Sequence, residues 1–161
     1  MRTKWWVLQA SLCACAVVVA GGCRKAVQRT PADEALSKRI AAATSGRNAS
    51  ELNFAWLAPR DWDQMFIFAP YTSHQEIDQR LGFQWSHTST TRVDASETIS
   101  LLVFVKDKRV THWVDFPREK ADFSLVSSPT AYTPRDARFS VRNDKVWPMV
   151  EPLAEAQKAA Y

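Results

Sequence analysis

Apolar and polar positions are patterned most regularly between Ile99 and Phe116. Ile99, Leu101, Val103 and Val105 alternate with Ser100, Leu102 and Phe104, as in an extended segment with two apolar faces. Lys106-Asp107-Lys108-Arg109 interrupts the run as a turn. Val110, His112, Val114 and Phe116 then return on one face, so the stretch predicts a β-hairpin that Pro117 ends. Residues 62–68 read as another strand, with Trp62, Phe66 and Phe68 on one face and Met65 and Ile67 on the other. With both faces apolar, it is expected at the centre of a sheet. Residues 123–126 and 137–141 add two short strands.

Helical spacing appears in two places. Ser73 with Glu76 forms a capping box, Ile77 and Leu81 stand four apart, and Gly82 stops the helix. Earlier, Thr30 suits an N-cap, Pro31 the first helical position, and Asp33 and Glu34 the positive end of the dipole. Leu36, Ile40 and Ala43 follow at helical spacing up to Gly46. This weakly apolar helix is expected either to pack lightly on the domain or to act as a spacer. Residues 52–57 are a short apolar segment closed by Pro59. Residues 85–97 are a polar, threonine-rich loop, and the tail passes Trp147-Pro148 into an Ala-rich helix over 153–160.

Hairpins rather than repeated crossovers imply an α+β fold, a mostly antiparallel sheet with helices packed on one face. The organisation expected is a signal over 1–22, a tether with a short helix over 23–48, an α+β domain over 49–150 and a tail over 151–161.

The N-terminal pattern changes the picture most. Arg2 and Lys4 precede a run from Trp5 to Ala20 with no charge. Those 16 residues would rise about 24 Å as a helix, short of the ~30 Å hydrocarbon core, and fit an export-signal core better than a spanning helix. The run ends in Ala20-Gly21-Gly22-Cys23, which resembles a bacterial lipobox, cleaved between Gly22 and Cys23. The residue three before the cysteine is Ala20, where Leu, Val or Ile is usual. The resemblance implies a lipid-modified (palmitate-bearing) Cys23. A plain secretory signal cut near Gly22, or an uncleaved anchor, is the alternative. Cys13 and Cys15 lie inside the signal, so the mature chain would hold one thiol, at its first residue. Arg24 and Lys25 follow it and suit anionic headgroups. Arg24 directly after the cysteine implies, by the same resemblance, sorting to the outer membrane, facing the periplasm.

Removing residues 1–22 of 161 leaves 139, enough for one core without disulfides. Arg2 and Lys4 leave with the signal, so the formal charge of +4 falls to +2, which is no nucleic-acid signature. Four glycines, two of them in the signal, exclude a Gly-rich phosphate loop.

Candidate chemistry is sparse. The three histidines, His74, His87 and His112, have no metal-ligand spacing, and no G-x-S-x-G elbow exists. No cofactor or metal is expected. Asp61 and Asp63 alternate onto one face at a strand start, about 6–7 Å apart between Cα atoms, and could serve acid/base chemistry with a histidine; a polar strand start paired with Arg60 is the plainer reading. Trp62, Phe68, Tyr71 and Trp113 could line an aromatic groove, or simply be core. The candidate binding residues are therefore Asp61, Trp62, Asp63, Tyr71, His112 and Trp113.

The stretch from Asp61 to Tyr71, and that from Leu101 to Val110 running on to Phe116-Pro117-Arg118, resemble small exported bacterial proteins, often lipoproteins, of uncharacterised function. A fainter likeness, in the helix from Ser73 to Gly82, is to small lipoproteins of the outer-membrane barrel-assembly machinery, though here a strand precedes that helix. The expected function is that of a lipid-anchored envelope protein acting by binding, in an accessory or assembly role, with the membrane and an envelope protein as partners and no nucleic acid. An envelope hydrolase using Asp61 and Asp63 with a histidine, or a glycan- or lipid-binding module, are the alternatives.

Overall fold

The computed structural model describes residues 33–46, 51–143 and 146–153. In chain order these form helix α1 (Glu34–Thr44), strand β1 (Glu51–Asn53), the one-turn helix α2 (Phe54–Leu57), strand β2 (Gln64–Phe68), helix α3 (His74–Leu81), and strands β3 (Ile99–Lys106), β4 (Arg109–Pro117), β5 (Arg138–Arg142) and β6 (Met149–Pro152). The class is α+β. The strands pair antiparallel in two three-stranded sheets, ordered β2-β3-β4 and β1-β5-β6.

Alternation along the β2-β3-β4 sheet divides the core in two. Met65, Ile67, Leu102, Phe104, Val114 and Phe116 pack with Leu36 and Ile40 of α1 and with Leu52, Phe139 and Val150 of the other sheet. Phe66, Phe68, Leu101, Val103, Val105 and Trp113 pack with Ile77 and Leu81 of α3 and with Trp85 and Val93. The two longer helices thus cover opposite faces rather than one shared face, because strands apolar on both sides must be covered on both.

Helix α3 has the ends its sequence specifies. The Ser73 hydroxyl accepts from the Glu76 N–H at 3.2 Å, and Gly82, at φ 76°, donates to the carbonyls of Asp78 and Gln79. Helix α1 starts later than expected. Asp33 caps it, its Oδ1 accepting from the Leu36 N–H at 2.7 Å, while Thr30 and Pro31 lie outside the described residues. Leu36 and Ile40 are fully buried, so α1 belongs to the core and is no spacer.

Four local readings change. First, β3 is the central strand, and β2 lies at the edge of its sheet. Its outer edge is closed by the segment from Ser127 to Tyr132: Met65 and Tyr132 exchange backbone hydrogen bonds of 2.7 and 2.8 Å, and the Ser127 hydroxyl donates to the Ile67 carbonyl. Second, Trp62 precedes the strand and turns onto the Met65 side, its ring 5.4 Å from that of Phe104. Third, a bulge at Thr111 sets Phe104 opposite His112 but Val105 opposite Val110, so Val110 packs on the α3 side, away from Val114 and Phe116. Fourth, Ser124–Val126 is a 3-10 turn and not a strand. The buried Asp122 accepts from the Ser124 N–H and hydroxyl, which bends the chain locally. Strand β6 was not expected. It is short, ends in Pro152, and is held by Val141 opposite Val150. Of the expected tail helix only Leu153 is described, as buried coil after β6; the rest lies outside the described residues.

The β3–β4 turn places Asp107 and Lys108 both at positive φ, 49° and 56°, as a two-residue type I′ hairpin requires. Neither is glycine, so each carries the left-handed penalty. Lys108→Gly is expected to raise stability by about 1 kcal/mol in a thermal or urea melt, opposite to the loss that glycine causes at ordinary φ. A destabilised variant would refute the turn geometry.

Candidate functional site

Two surface features bring chemically able side chains together. The first is built on β4. The bulge at Thr111 aims His112 out of the sheet on the α1 side, between two carboxylates. Its Nδ1 lies 3.0 Å from Asp33 Oδ2 and its Nε2 lies 2.9 Å from Asp61 Oδ1. Carboxylates only accept and a neutral imidazole has one N–H, so both contacts are hydrogen bonds only when the ring carries both protons. Asp33 also donates its N–H to the Trp113 carbonyl at 2.8 Å and caps α1. One residue thus ties the start of the described fold to β4. The carboxylates occupy opposite ring nitrogens and do not converge on one point. Among the described residues no group of three His, Cys, Asp or Glu side chains is placed to hold a metal ion.

The expected pairing of Asp61 with Asp63 around a histidine is met only in part. Asp61 reaches His112, but the second carboxylate is Asp33, about thirty residues before the pattern that suggested the site. Asp63 is exposed, and its described contact is a backbone one, its N–H donating to the Val105 carbonyl at 2.9 Å. His74 stands 3.3 Å from Asp94, and His87 is buried beside Trp85 with Nδ1 3.1 Å from the Ser86 hydroxyl.

The aromatic groove of Trp62, Phe68, Tyr71 and Trp113 does not form. Trp62 is buried in the core on the α1 side, while Phe68 and Trp113 are buried on the α3 side, Trp113 edge-on to Trp85 at 5.6 Å. Tyr71 alone is exposed, at φ 63° in the turn after β2, beyond the end of the strand opposite Trp62. Cys23 and Gly22 lie outside the described residues.

The second feature was not singled out from sequence. Asn53 caps α2, its Oδ1 accepting from the Ala55 N–H at 3.1 Å. Phe54 anchors that single turn, fully buried with its ring about 6 Å from those of Phe104, Phe123 and Phe139. Two residues on, the helix turn sends Trp56 the other way, where it is 84% exposed. It borders an open groove of about 570 Å³ with Ala43, Leu57, Pro134 and Arg135, floored in part by the ion pair of Arg138 with Glu51 at 2.8 Å. The groove joins an aromatic face, aliphatic walls and a guanidinium. The signal available in the sequence was an apolar residue at i+2 from a buried one in a stretch too short for a face to be assigned.

Elsewhere on β4, Asp115 is nearly buried. Burial pushes its carboxyl above the ordinary value, against the hydrogen bonds that Arg92 gives it from its N–H and Nε. At Asp122 burial acts in the same direction, but the hydrogen bonds from Arg118 and Ser124 together outweigh it and hold the carboxyl below the ordinary value. Burial lowers the Arg80 guanidinium, against the Glu76 carboxylate.

Compared with known proteins, the chain matches no family model, no curated protein and no solved structure.

Two outcomes follow from the β4 cluster. Asn caps helices about as well as Asp, so Asp33→Asn isolates the histidine contact. A double-mutant cycle of Asp33→Asn with His112→Gln is expected to give a coupling of about 1 kcal/mol in urea melts; additive effects would deny the link. For Asp115, the folded pKa lies above the unfolded one, so its cost is absent below about pH 3.9 and grows as pH rises through the folded value. Asp115→Asn is therefore expected to be more stable than wild type at pH 7, with the gap closing towards pH 3. A gap independent of pH would contradict it.

Proposed function

We propose that this is a lipid-anchored protein of the bacterial cell envelope that acts by binding another envelope protein through the Trp56 groove. The uncharged run from Trp5 to Ala20 and the Ala20-Gly21-Gly22-Cys23 stretch support export and anchoring through Cys23. Outer-membrane placement rests on Arg24 and on the resemblance to exported lipoproteins. Among the described residues no helix is long and apolar enough to cross a membrane.

The observation that carries the binding reading is Trp56, a large aromatic held 84% in solvent by a helical turn whose other face is locked into the core. Tryptophan and arginine are the side chains that contribute most when buried at protein interfaces. Here they stand on one groove with Pro134 between aliphatic walls. Burying such an indole removes a large apolar area from water without ordering a flexible segment first.

The hydrolase alternative draws on Asp61 and His112. Both ring nitrogens of His112 face carboxylates, which leaves none to take a proton from a nucleophile. The glycan- or lipid-binding alternative drew on an aromatic groove whose members are dispersed between two cores.

The experiment is crosslinking in intact cells with a C-terminally tagged chain, comparing wild type, Cys23→Ala and Trp56→Ala. Wild type is expected to incorporate palmitate and capture a discrete partner. Cys23→Ala should lose the lipid and the membrane fraction. Trp56→Ala should keep both but lose the partner by tenfold or more, in line with about 2 kcal/mol for an interface tryptophan. Capture unchanged by Trp56→Ala would overturn the groove, and substrate turnover lost on Asp61→Asn or His112→Gln would overturn the binding reading.

A further inference from the structure

Several arginines of the described fold carry acidic partners. Arg80 stands near Glu76, Arg92 near Asp115, Arg118 near Asp122 and Arg138 near Glu51. The β3–β4 tip departs from this. Lys106, Lys108 and Arg109 are exposed on four consecutive residues, and among the described residues none of the three forms an ion pair. On the tip itself the one acidic group is Asp107; beyond it stand Asp63, whose N–H donates to the Val105 carbonyl, and Asp61, which lies against His112. The tip therefore holds a net positive charge on a rigid two-residue turn.

Its position relative to the tether matters more than the charge alone. Asp33 is fixed to the Trp113 carbonyl, so the tether joins the fold on β4. The tip lies five residues back along the strand from Trp113, about 17 Å. From Cys23 to Asp33 is ten residue steps, at most about 36 Å, so a lipid carried by Cys23 keeps the tip within reach of the membrane surface. Helix α1 runs the other way. It starts beside Trp113 and ends where the Thr44 hydroxyl donates to the Lys120 carbonyl at 3.0 Å, past the far end of β4.

We propose that the β3–β4 tip rests on anionic lipid headgroups through Lys106, Lys108 and Arg109, and so sets how the tethered domain sits on the membrane. This rests on the lipid-anchor reading above. Three cations bind a membrane weakly on their own. Tethering makes the contact intramolecular and raises its effective concentration, and an acyl anchor with a basic patch is a pairing of two weak signals that together hold. An acidic protein segment would also suit the charge, but the tip's closeness to the tether favours the lipid surface.

The test uses the lipidated protein purified from cells and reconstituted in vesicles of phosphatidylcholine alone or with phosphatidylglycerol. Backbone hydrogen exchange of residues 106–111 is expected to slow several-fold with phosphatidylglycerol. The slowing should vanish at high salt, as the screening length shrinks, and in Lys106→Gln/Lys108→Gln/Arg109→Gln, whose exposed substitutions leave the fold intact. Equal exchange in both vesicles, or protection by an acidic peptide and not by phosphatidylglycerol, would overturn the proposal while leaving the anchor standing. If mass spectrometry finds no lipid on Cys23, the anchor reading fails; the unanchored chain must then still co-sediment with phosphatidylglycerol vesicles and not with phosphatidylcholine alone, or the tip proposal fails too.

Discussion

Strand β3 buries seven consecutive residues, Ile99 to Val105, and the rest of the molecule follows from that. A strand with apolar side chains on both faces cannot leave either face to water. One face takes α1 and the β1-β5-β6 sheet; the other takes α3 and the loop from Trp85 to Val93. The result is a layered arrangement from a short chain, with aromatic rings filling the deeper layer. Phe54, Phe104, Phe116, Phe123 and Phe139 meet there largely in tilted or edge-on pairs.

Layers stacked this way bury polar groups at their margins, and two residues tie several segments together there. Arg80 reaches from α3 over the Phe68 ring, 4.3 Å from its centre, and donates to the carbonyls of Ile67 and Ser128. It thereby joins α3, the edge of β2 and the strap that covers that edge. Asp122 does the corresponding work on the other side. Its backbone pairs with Pro148 and Val150, its carboxylate accepts from Arg118 at 2.6 Å and from Ser124, and β6 is held to the turn that follows β4. A buried charge of this kind is tolerated because it is paired and hydrogen-bonded.

The surface carries the functional possibilities. Asp33 holds the start of the described fold on β4, the cationic tip closes β3 on β4, and the exposed Trp56 stands on the one-turn helix α2. Asp33, His112 and Asp61 meet as a clasp that fastens the start of α1 and the segment before β2 to β4.

The sequence by itself determined the local grammar. The hairpin from Ile99 to Phe116, the capped helix from Ser73 to Gly82 and the α+β class are set by periodicity and by short-range hydrogen bonds. Each of these is a property of residues a few positions apart. The expectation of an export signal, too, rests on composition and order alone. Only the tertiary structure decided what depends on distant partners. The edge position of β2 rests on Tyr132, the strand at Met149–Pro152 on β5, and the burial of Trp62 and Trp113 in different cores on a bend before Gln64. The bulge at Thr111 reversed the side on which Val110 was expected, because one extra residue flips every side chain beyond it. The site was least legible for the same reason. Asp33 joins His112 across 79 positions, and Trp56 is exposed only because Phe54, two residues earlier, packs into a core against rings from three other segments. Burial is a property of the assembled layers, and no window of sequence contains it.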